Sequence, residues 1–132
     1  MAKGLDKHME RKSIVTSFGK DLARRSKSTC ELCGTKNVKL SVYEVPPVEE
    51  EPVFENCLFL CDDCIKILNN IKKSQENELR FLGDSMWSEV PLVKATSIYV
   101  LEQIKDRYHW ANEMLENAYL DEETLEILGR IK

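Results

Sequence analysis

Two Cys-x-x-Cys pairs are the residues in this chain whose types and spacing are most able to do chemistry. Cys30 and Cys33 lie in CELCG, Cys61 and Cys64 lie in CDDC, and 27 residues separate the two pairs. Thiolates in this arrangement can present four sulfurs tetrahedrally to one Zn²⁺. Because four thiolates leave no coordination position for water, such a site would be structural and not catalytic. An Fe–S cluster or a redox dithiol is the alternative use of the same residues.

Cys57 and the two histidines are expected to lie outside this metal site. Cys57 shares one face of a predicted strand with Phe59 and Cys61, which places it near the metal or the core beneath it. We expect a buried apolar thiol at this position and not a ligand, although it could replace a lost one. Neither His8 nor His109 has a ligand-like spacing, so both are expected to be surface or packing residues.

The two cysteine pairs are predicted to be joined by a β-hairpin and followed by a helix. Alternating apolar residues predict a strand in VKLSVYEV at 38–45, and an acidic loop containing prolines follows. NCLFLC at 56–61 is the second predicted strand, and a helical pattern covers 65–73. This order is typical of a treble clef, whereas a plain zinc ribbon would carry its second pair on a hairpin. The predicted buried faces consist of Val38, Leu40 and Val42 on the strand and Ile65, Leu68 and Ile71 on the helix.

Helical segments are predicted on both sides of this module, which makes the fold class α+β. Residues 1–27 form an amphipathic basic segment with one helix over 5–26, residues 28–73 form the four-cysteine zinc module, and residues 74–132 form a helical region. Within the last region, Gly83 and Asp84 are predicted to break a helix, and Pro91 is predicted to lie in the first turn of the next one. A short helix is predicted over 112–120, and Asp121 is predicted to cap the last helix.

The charge of the chain is unevenly distributed. The formal net charge is −4, yet residues 3–27 carry eight basic and three acidic side chains, so the remainder is strongly acidic. Proteins that bind nucleic acid are usually basic as a whole, so only the N-terminal segment could contact a polyanion here. A solvated helix face is the simpler interpretation of the same residues. The candidate polyanion contacts are Arg11, Lys12, Lys20, Arg24 and Arg25.

Bulk composition is that of an ordinary globular protein, with 42% hydrophobic and 32% charged residues. The N-terminus has no apolar run and the chain has no 18-residue apolar stretch, so we expect neither a signal peptide nor a membrane span. We therefore predict a cytoplasmic location. In such a reducing compartment, paired Cys-x-x-Cys motifs are more often metal sites than disulfides.

Asn56 stands five residues before the second cysteine pair, and Pro46 follows the first predicted strand. In these positions the first half of the chain resembles the HNH (ββα-metal) nucleases that carry zinc knuckles. The resemblance implies a catalytic histidine at the strand end and another in the helix, but Tyr43-Glu44 and Ile65 stand there. Without an imidazole base and a second ligand set, a phosphodiester-cleaving site cannot assemble. The resemblance thus implies a nuclease-like scaffold without the nuclease chemistry.

Five segments spread over the chain match a second family in order: CELCG, SVYEVPP, the second Cys-x-x-Cys, DSMWSEVP and AYLDEETLE. With them the chain resembles the N-terminal region of the PhnA family, labelled "alkylphosphonate utilisation operon protein". The resemblance implies a zinc-ribbon-like module with helices and no demonstrated phosphonate chemistry. Many relatives have His-Trp-Arg-Cys where this chain has Glu78 to Phe81, and we expect the small β-rich C-terminal domain of those relatives to be absent here.

The same segments suggest a possible pocket for a small phosphonate-type ligand, with Tyr43, Glu44, Trp87 and Glu89 as its candidate residues. For Trp87 we expect the simpler role of packing the helices against the metal module. The predicted function is a non-catalytic, zinc-binding interaction module with a protein partner and one structural Zn²⁺. The alternatives are a nucleic-acid-binding protein on a degenerate nuclease scaffold and an enzyme or binder acting on a small phosphonate-type ligand.

Overall fold

The computed structural model describes residues 2–48 and 50–131, and the side chains of residues 10–48 and 50–131. Within these residues the fold is α+β, with one two-stranded antiparallel hairpin and several helices. The predicted fold class is therefore confirmed. None of the described helices has the length and apolar character needed to cross a bilayer.

The predicted N-terminal helix over 5–26 is present as two helices. Helix α1 spans Ala2–Ser17 and helix α2 spans Gly19–Ser26. At the break, the Phe18 N–H donates to the Val15 carbonyl three residues back, at 3.1 Å, which tightens the turn. Glycine directly after Phe18 further weakens helix continuation.

The predicted hairpin is shorter than its sequence pattern. Strand β1 spans Leu40–Glu44 and strand β2 spans Cys57–Cys61, paired in a register that places Val42 opposite Phe59. Val38, predicted to lie on the buried face, precedes the strand and is 47% exposed. The alternation begins two residues too early because the chain at Asn37 has a left-handed conformation, with φ of 63°.

Helix α3 spans Asp62–Asn69 and so begins and ends earlier than the predicted range of 65–73, whose last residues form a separate 3₁₀ turn. Its buried face also differs from the prediction. Cys64 and Ile67 are buried, whereas the predicted stripe is half-buried and packs at the margin of the core. The half-buried residues are Ile65, Leu68 and Ile71.

Four helices make up the C-terminal half: α4 at Leu82–Ser85, α5 at Pro91–Ile104, α6 at His109–Glu116 and α7 at Glu122–Ile131. Helix α5 packs against the other three and against β2, which explains why most of its side chains are buried. As predicted, it begins at Pro91.

In this half, one predicted helix break is absent and one predicted helix cap is present. Gly83 and Asp84, predicted as breakers, lie inside α4, where a Cβ at Gly83 would approach Met114 Cε to 3.3 Å. The end of the Met114 side chain on α6 thus lies against Gly83, where a Cβ would require it to shift slightly. The predicted cap is confirmed, since the Asp121 carboxylate accepts the Thr124 N–H at 2.8 Å.

The four-cysteine half and the helical half share one hydrophobic core. Its buried members include Cys30 and Cys64 from the cysteine pairs, Leu58 and Leu60 from β2, and Leu101 from α5. A structure that positions the cysteines therefore depends on burial of the hairpin against α5 as well as on the cysteines themselves.

Candidate metal centre

The four predicted ligands come together at one point of the structure. The sulfur atoms of Cys30, Cys33, Cys61 and Cys64 all lie within 4.8 Å of one another, and the Cys33 and Cys61 sulfurs are 3.6 Å apart. In a tetrahedral zinc site with Zn–S bonds of about 2.3 Å, neighbouring sulfurs lie about 3.8 Å apart. All but Cys33 are buried. The cluster could therefore hold a metal ion that is largely shielded from solvent.

The first cysteine pair is shaped by a tight turn. The Cys30 N–H donates to the Thr35 carbonyl at 3.0 Å, and the Gly34 N–H donates to the Cys30 carbonyl at 2.9 Å. Gly34 has φ of 76°, a conformation that glycine adopts without a Cβ penalty. The Thr35 hydroxyl lies 3.0 Å from the Cys33 sulfur. These contacts hold both sulfurs of the pair on one side of the turn.

The second pair lies at the junction of β2 and α3. Cys61 is the last residue of the strand and has an extended backbone, whereas Cys64 lies in the first helical turn. The Cys64 N–H hydrogen-bonds the Cys61 sulfur, which favours the thiolate form of Cys61. The change from strand to helix thus brings the side chains of Cys61 and Cys64 into the same cluster.

The thiols differ in their affinity for protons. A hydrogen bond from the Cys64 thiol and further bonds from backbone N–H groups lower the pKa of Cys30 to about 4, against the opposing effect of burial. Burial is the main cause that raises the pKa of Cys61 to about 11. The pKa of Cys64 is also raised, chiefly because its thiol donates to the Cys30 sulfur. A bound cation would replace these shared protons, so metal binding releases protons.

An ion pair that the sequence did not predict joins α2 to the first cysteine pair. The Glu31 carboxylate is 3% exposed and accepts from Arg25 Nε and Nη2 at 2.8 and 2.7 Å. The same carboxylate accepts the Phe59 N–H at 2.8 Å, and Arg25 Nη2 donates to the Cys57 carbonyl at 2.9 Å. We call this group the Arg25–Glu31 clamp. It connects α2, the first cysteine pair and β2 beside the metal centre.

The predicted polyanion contacts are divided between the interior and the surface. Arg25 belongs to the clamp, and Arg11 pairs with Glu44 at 2.6 Å while it also donates to the Glu50 carbonyl. The other three candidates are exposed: Lys12, Lys20, and Arg24, which lies 3.8 Å from Asp21. The sequence pattern could not distinguish these two groups, because the carboxylates that bind Arg11 and Arg25 belong to segments outside the N-terminal helices.

The predicted pocket residues have different surroundings. Tyr43 lines a cavity of about 100 Å³ together with Tyr99 of α5, and burial raises the pKa of Tyr43, with Tyr99 adding to the effect. Glu44 is held by Arg11. Glu89 is exposed in the turn before α5. Each of these residues therefore has a role in packing, in an ion pair or at the surface.

The prediction that Trp87 packs the helices against the metal module is wrong, because its side chain is 53% exposed. Its neighbours are buried and join two helices of the C-terminal half. Met86 is buried, and the Ser85 hydroxyl lies 2.6 Å from the Ser97 hydroxyl, which joins α4 to α5. The short α4 places residue 87 on the outer side of the turn.

Cys57 is a buried thiol, as predicted, and lies outside the four-cysteine cluster. Its sulfur donates to the Val53 carbonyl at 3.3 Å, and burial raises its pKa to about 11. His109 is an exposed residue at 3.2 Å from Glu113, whereas the side chain of His8 lies outside the described residues.

The positions that carry catalytic residues in the HNH resemblance hold structural side chains here. Asn56 Nδ2 donates to the Val45 carbonyl at 2.8 Å, which closes the loop between the strands. Ile65 packs against the core, and Tyr43 and Glu44 are placed as described above. Together they provide no imidazole for proton transfer at this site.

Comparison with known proteins gives little guidance on function. No family model matches the chain, and no solved structure matches it at a significant level. Among curated proteins, the chain is similar to "Uncharacterized protein YisB" of Bacillus subtilis (strain 168), with 32% identity over 62 residues. The similar region covers 47% of this chain and 62% of that protein. The name of this relative states no activity, so the geometry of the four-cysteine cluster is the main evidence for function.

Proposed function

We propose that the chain binds one Zn²⁺ through its four clustered cysteines and that this ion has a structural role. The observation that carries the proposal is the placement of four sulfurs within 4.8 Å of one another on two short turns. Sulfurs this close suit a single ion, whereas an iron–sulfur cluster has to fit its own sulfide and iron atoms between the thiolates. A soft, all-thiolate donor set in a tetrahedral arrangement is typical of zinc.

A non-catalytic role follows from the donor set and from its neighbours. Four thiolates fill the coordination shell of Zn²⁺, so no position remains at which water or substrate could be activated. The residues in the places of nuclease histidines, Tyr43, Glu44 and Ile65, supply no second metal site. We therefore propose an interaction module, and the resemblance to the PhnA family is a further proposal of the same kind. A reducing compartment such as the cytoplasm would keep the four thiols available for the ion.

A protein partner is favoured over nucleic acid by the ion pairs of the N-terminal segment. Arg11 and Arg25 are already bound to carboxylates within the fold, which leaves Lys12, Lys20 and Arg24 as the exposed cations among the candidates. Nucleic-acid affinity depends on the number of phosphates neutralised, so the pairing of Arg11 and Arg25 with carboxylates reduces what this acidic protein can offer to a polyanion. Exposed valines at both ends of the hairpin offer apolar surface to a partner, namely Val38, Val48 and Val53.

Metal analysis of the purified chain tests the zinc proposal. We expect one Zn²⁺ per chain, lost together with folding of the module in Cys33→Ser, since the binding energy of structural zinc is folding energy. Cys57→Ala is the matched control, because it removes a buried thiol outside the cluster and should keep its zinc. Retention of zinc and of Tm in Cys33→Ser would contradict the four-thiolate assignment.

The nucleic-acid alternative needs variants that leave the fold intact. Neutralising Arg11 or Arg25 would break ion pairs within the structure, so a loss of binding would be ambiguous. Filter binding at low salt should compare the native chain with a variant in which Lys12, Lys20 and Arg24 are replaced by glutamine. Salt-dependent binding lost in this variant would support the nucleic-acid alternative, and no binding by the native chain would remove it.

A further inference from the structure

A cavity of about 540 Å³ lies beside the candidate metal centre. Helix α3 forms one side through Ile67, and the chain that follows α3 forms the other through Ser74 and Phe81. Cys33 and Cys64 line it next to the cluster. Its volume lies within the range of about 300–1,000 Å³ that is typical of small-molecule sites.

Four charged side chains surround this cavity without ion-pair partners. They are Asp63, Lys66, Lys73 and Glu78, two of each sign, and none of them forms a salt bridge with any described residue. All four are exposed to solvent, as are Lys12 and Lys20, which also form no salt bridge with a described residue. The charges around the cavity are therefore available to a ligand that carries both signs.

One polar group in the cavity wall lacks a partner. The Ser74 side chain is 6% exposed, and its hydroxyl oxygen is buried without a hydrogen bond to any described residue. Buried hydroxyl groups are nearly always hydrogen-bonded, and one left without a partner destabilises the fold. Rotation about χ1 would turn this hydroxyl towards the cavity, where a polar group of a bound molecule would satisfy it.

We propose that this cavity binds a small zwitterion with an apolar body, of the amino-acid type. The carboxylate would pair with Lys66 and Lys73, the ammonium with Asp63 and Glu78, and the apolar part would contact Phe81. A purely anionic ligand fits less well, because a zinc ion with four thiolates carries net negative charge at the cavity wall. This proposal goes beyond the interaction module proposed above and assigns the chain a binding site for a small molecule.

Calorimetric titration of the zinc-loaded chain with L-phenylalanine tests the ligand class. Two comparison compounds each lack one charge: phenethylamine has no carboxylate, and 3-phenylpropanoate has no ammonium. We expect saturable binding of phenylalanine within a range up to about 10 mM, and binding at least about tenfold weaker for each comparison compound. Absence of binding by phenylalanine, or equal binding of all three compounds, would overturn the proposal.

Two variants test the residues. Lys66→Met should weaken phenylalanine binding by about tenfold, whereas Lys105→Met, an exposed lysine beyond α5, should leave it unchanged. Ser74→Ala should weaken binding by about two- to tenfold without lowering the Tm of the free chain, since its hydroxyl has no partner to lose. A fall in the Tm of Ser74→Ala, or unchanged binding by Lys66→Met, would contradict the assignment. Zinc content measured on each sample separates failure of this site from failure of the metal centre.

Discussion

The Arg25–Glu31 clamp allows a sharp prediction about what holds the metal centre to the N-terminal helices. Glu31→Gln replaces the carboxylate with an amide of similar shape, so an acceptor for the Phe59 N–H remains. The change removes the negative charge that faces Arg25. Breaking a buried ion pair by removal of one partner typically costs about 3–5 kcal/mol.

The surroundings of Arg25 reduce the expected cost of breaking this ion pair. The Arg25 side chain is 22% exposed, so water reaches part of the guanidinium after the change. Arg25 also keeps its bond to the Cys57 carbonyl and its position 5.5 Å from the centre of the Phe54 ring. We therefore expect Glu31→Gln to lower the free energy of unfolding by about 2–3 kcal/mol, which is roughly 6–15 °C in Tm for a chain of this length.

Urea denaturation of the zinc-loaded protein measures the effect, with zinc content determined on the same samples. Asp21→Asn is the matched control, because its pair with Arg24 is 3.8 Å long and well exposed, and it should change stability by less than about 0.5 kcal/mol. A double-mutant cycle with Arg25→Met isolates the coupling between the two side chains. If Glu31→Gln is as stable as the native chain, or no different from Asp21→Asn, the clamp does not stabilise the fold.

Three further predictions concern single residues. Cys57 should resist alkylation in the folded chain at pH 8, and rapid labelling of native protein would contradict this. Because burial favours only the neutral thiol, the contribution of Cys57 to stability should be lost as the pH rises from about 9 towards its raised pKa of about 11. Gly34→Ala should lower stability by about 1–2 kcal/mol in thermal unfolding, since φ of 76° is strained for a residue with a Cβ. The hydrogen bonds from Thr124 should lower the pKa of Asp121 below 3.8, which an NMR titration would measure. The capping contribution of Asp121 is then present at neutral pH and is lost as the pH falls below about 4. An ordinary pKa would argue against the Thr124 contact.

Hydrophobic periodicity in the sequence predicted the type and order of the helices and strands better than the residues at which they begin and end. Alternation found the hairpin, and helical periodicity found α3, α5, α6 and α7 but not α4, because these patterns record which face of an element is buried. The limits depend on single backbone conformations, such as the tight turn at Phe18 and the left-handed residue at Asn37. The position of Trp87 also escaped prediction, since a large apolar side chain does not reveal whether its turn faces inward.

The four cysteines are the part of the candidate site that the sequence by itself determined. Each Cys-x-x-Cys spacing places two sulfurs on one side of the chain, so residue identity and spacing were sufficient to identify the four cysteines of the cluster. Only the tertiary structure decided which charges serve the interior and which remain at the surface. Arg25 and Glu31 meet because α2 lies across the first cysteine pair and β2, whereas the charges around the neighbouring cavity form no salt bridge with any other residue that the structure describes. Pairing of charges depends on distances between separate elements, and sequence spacing does not encode those distances.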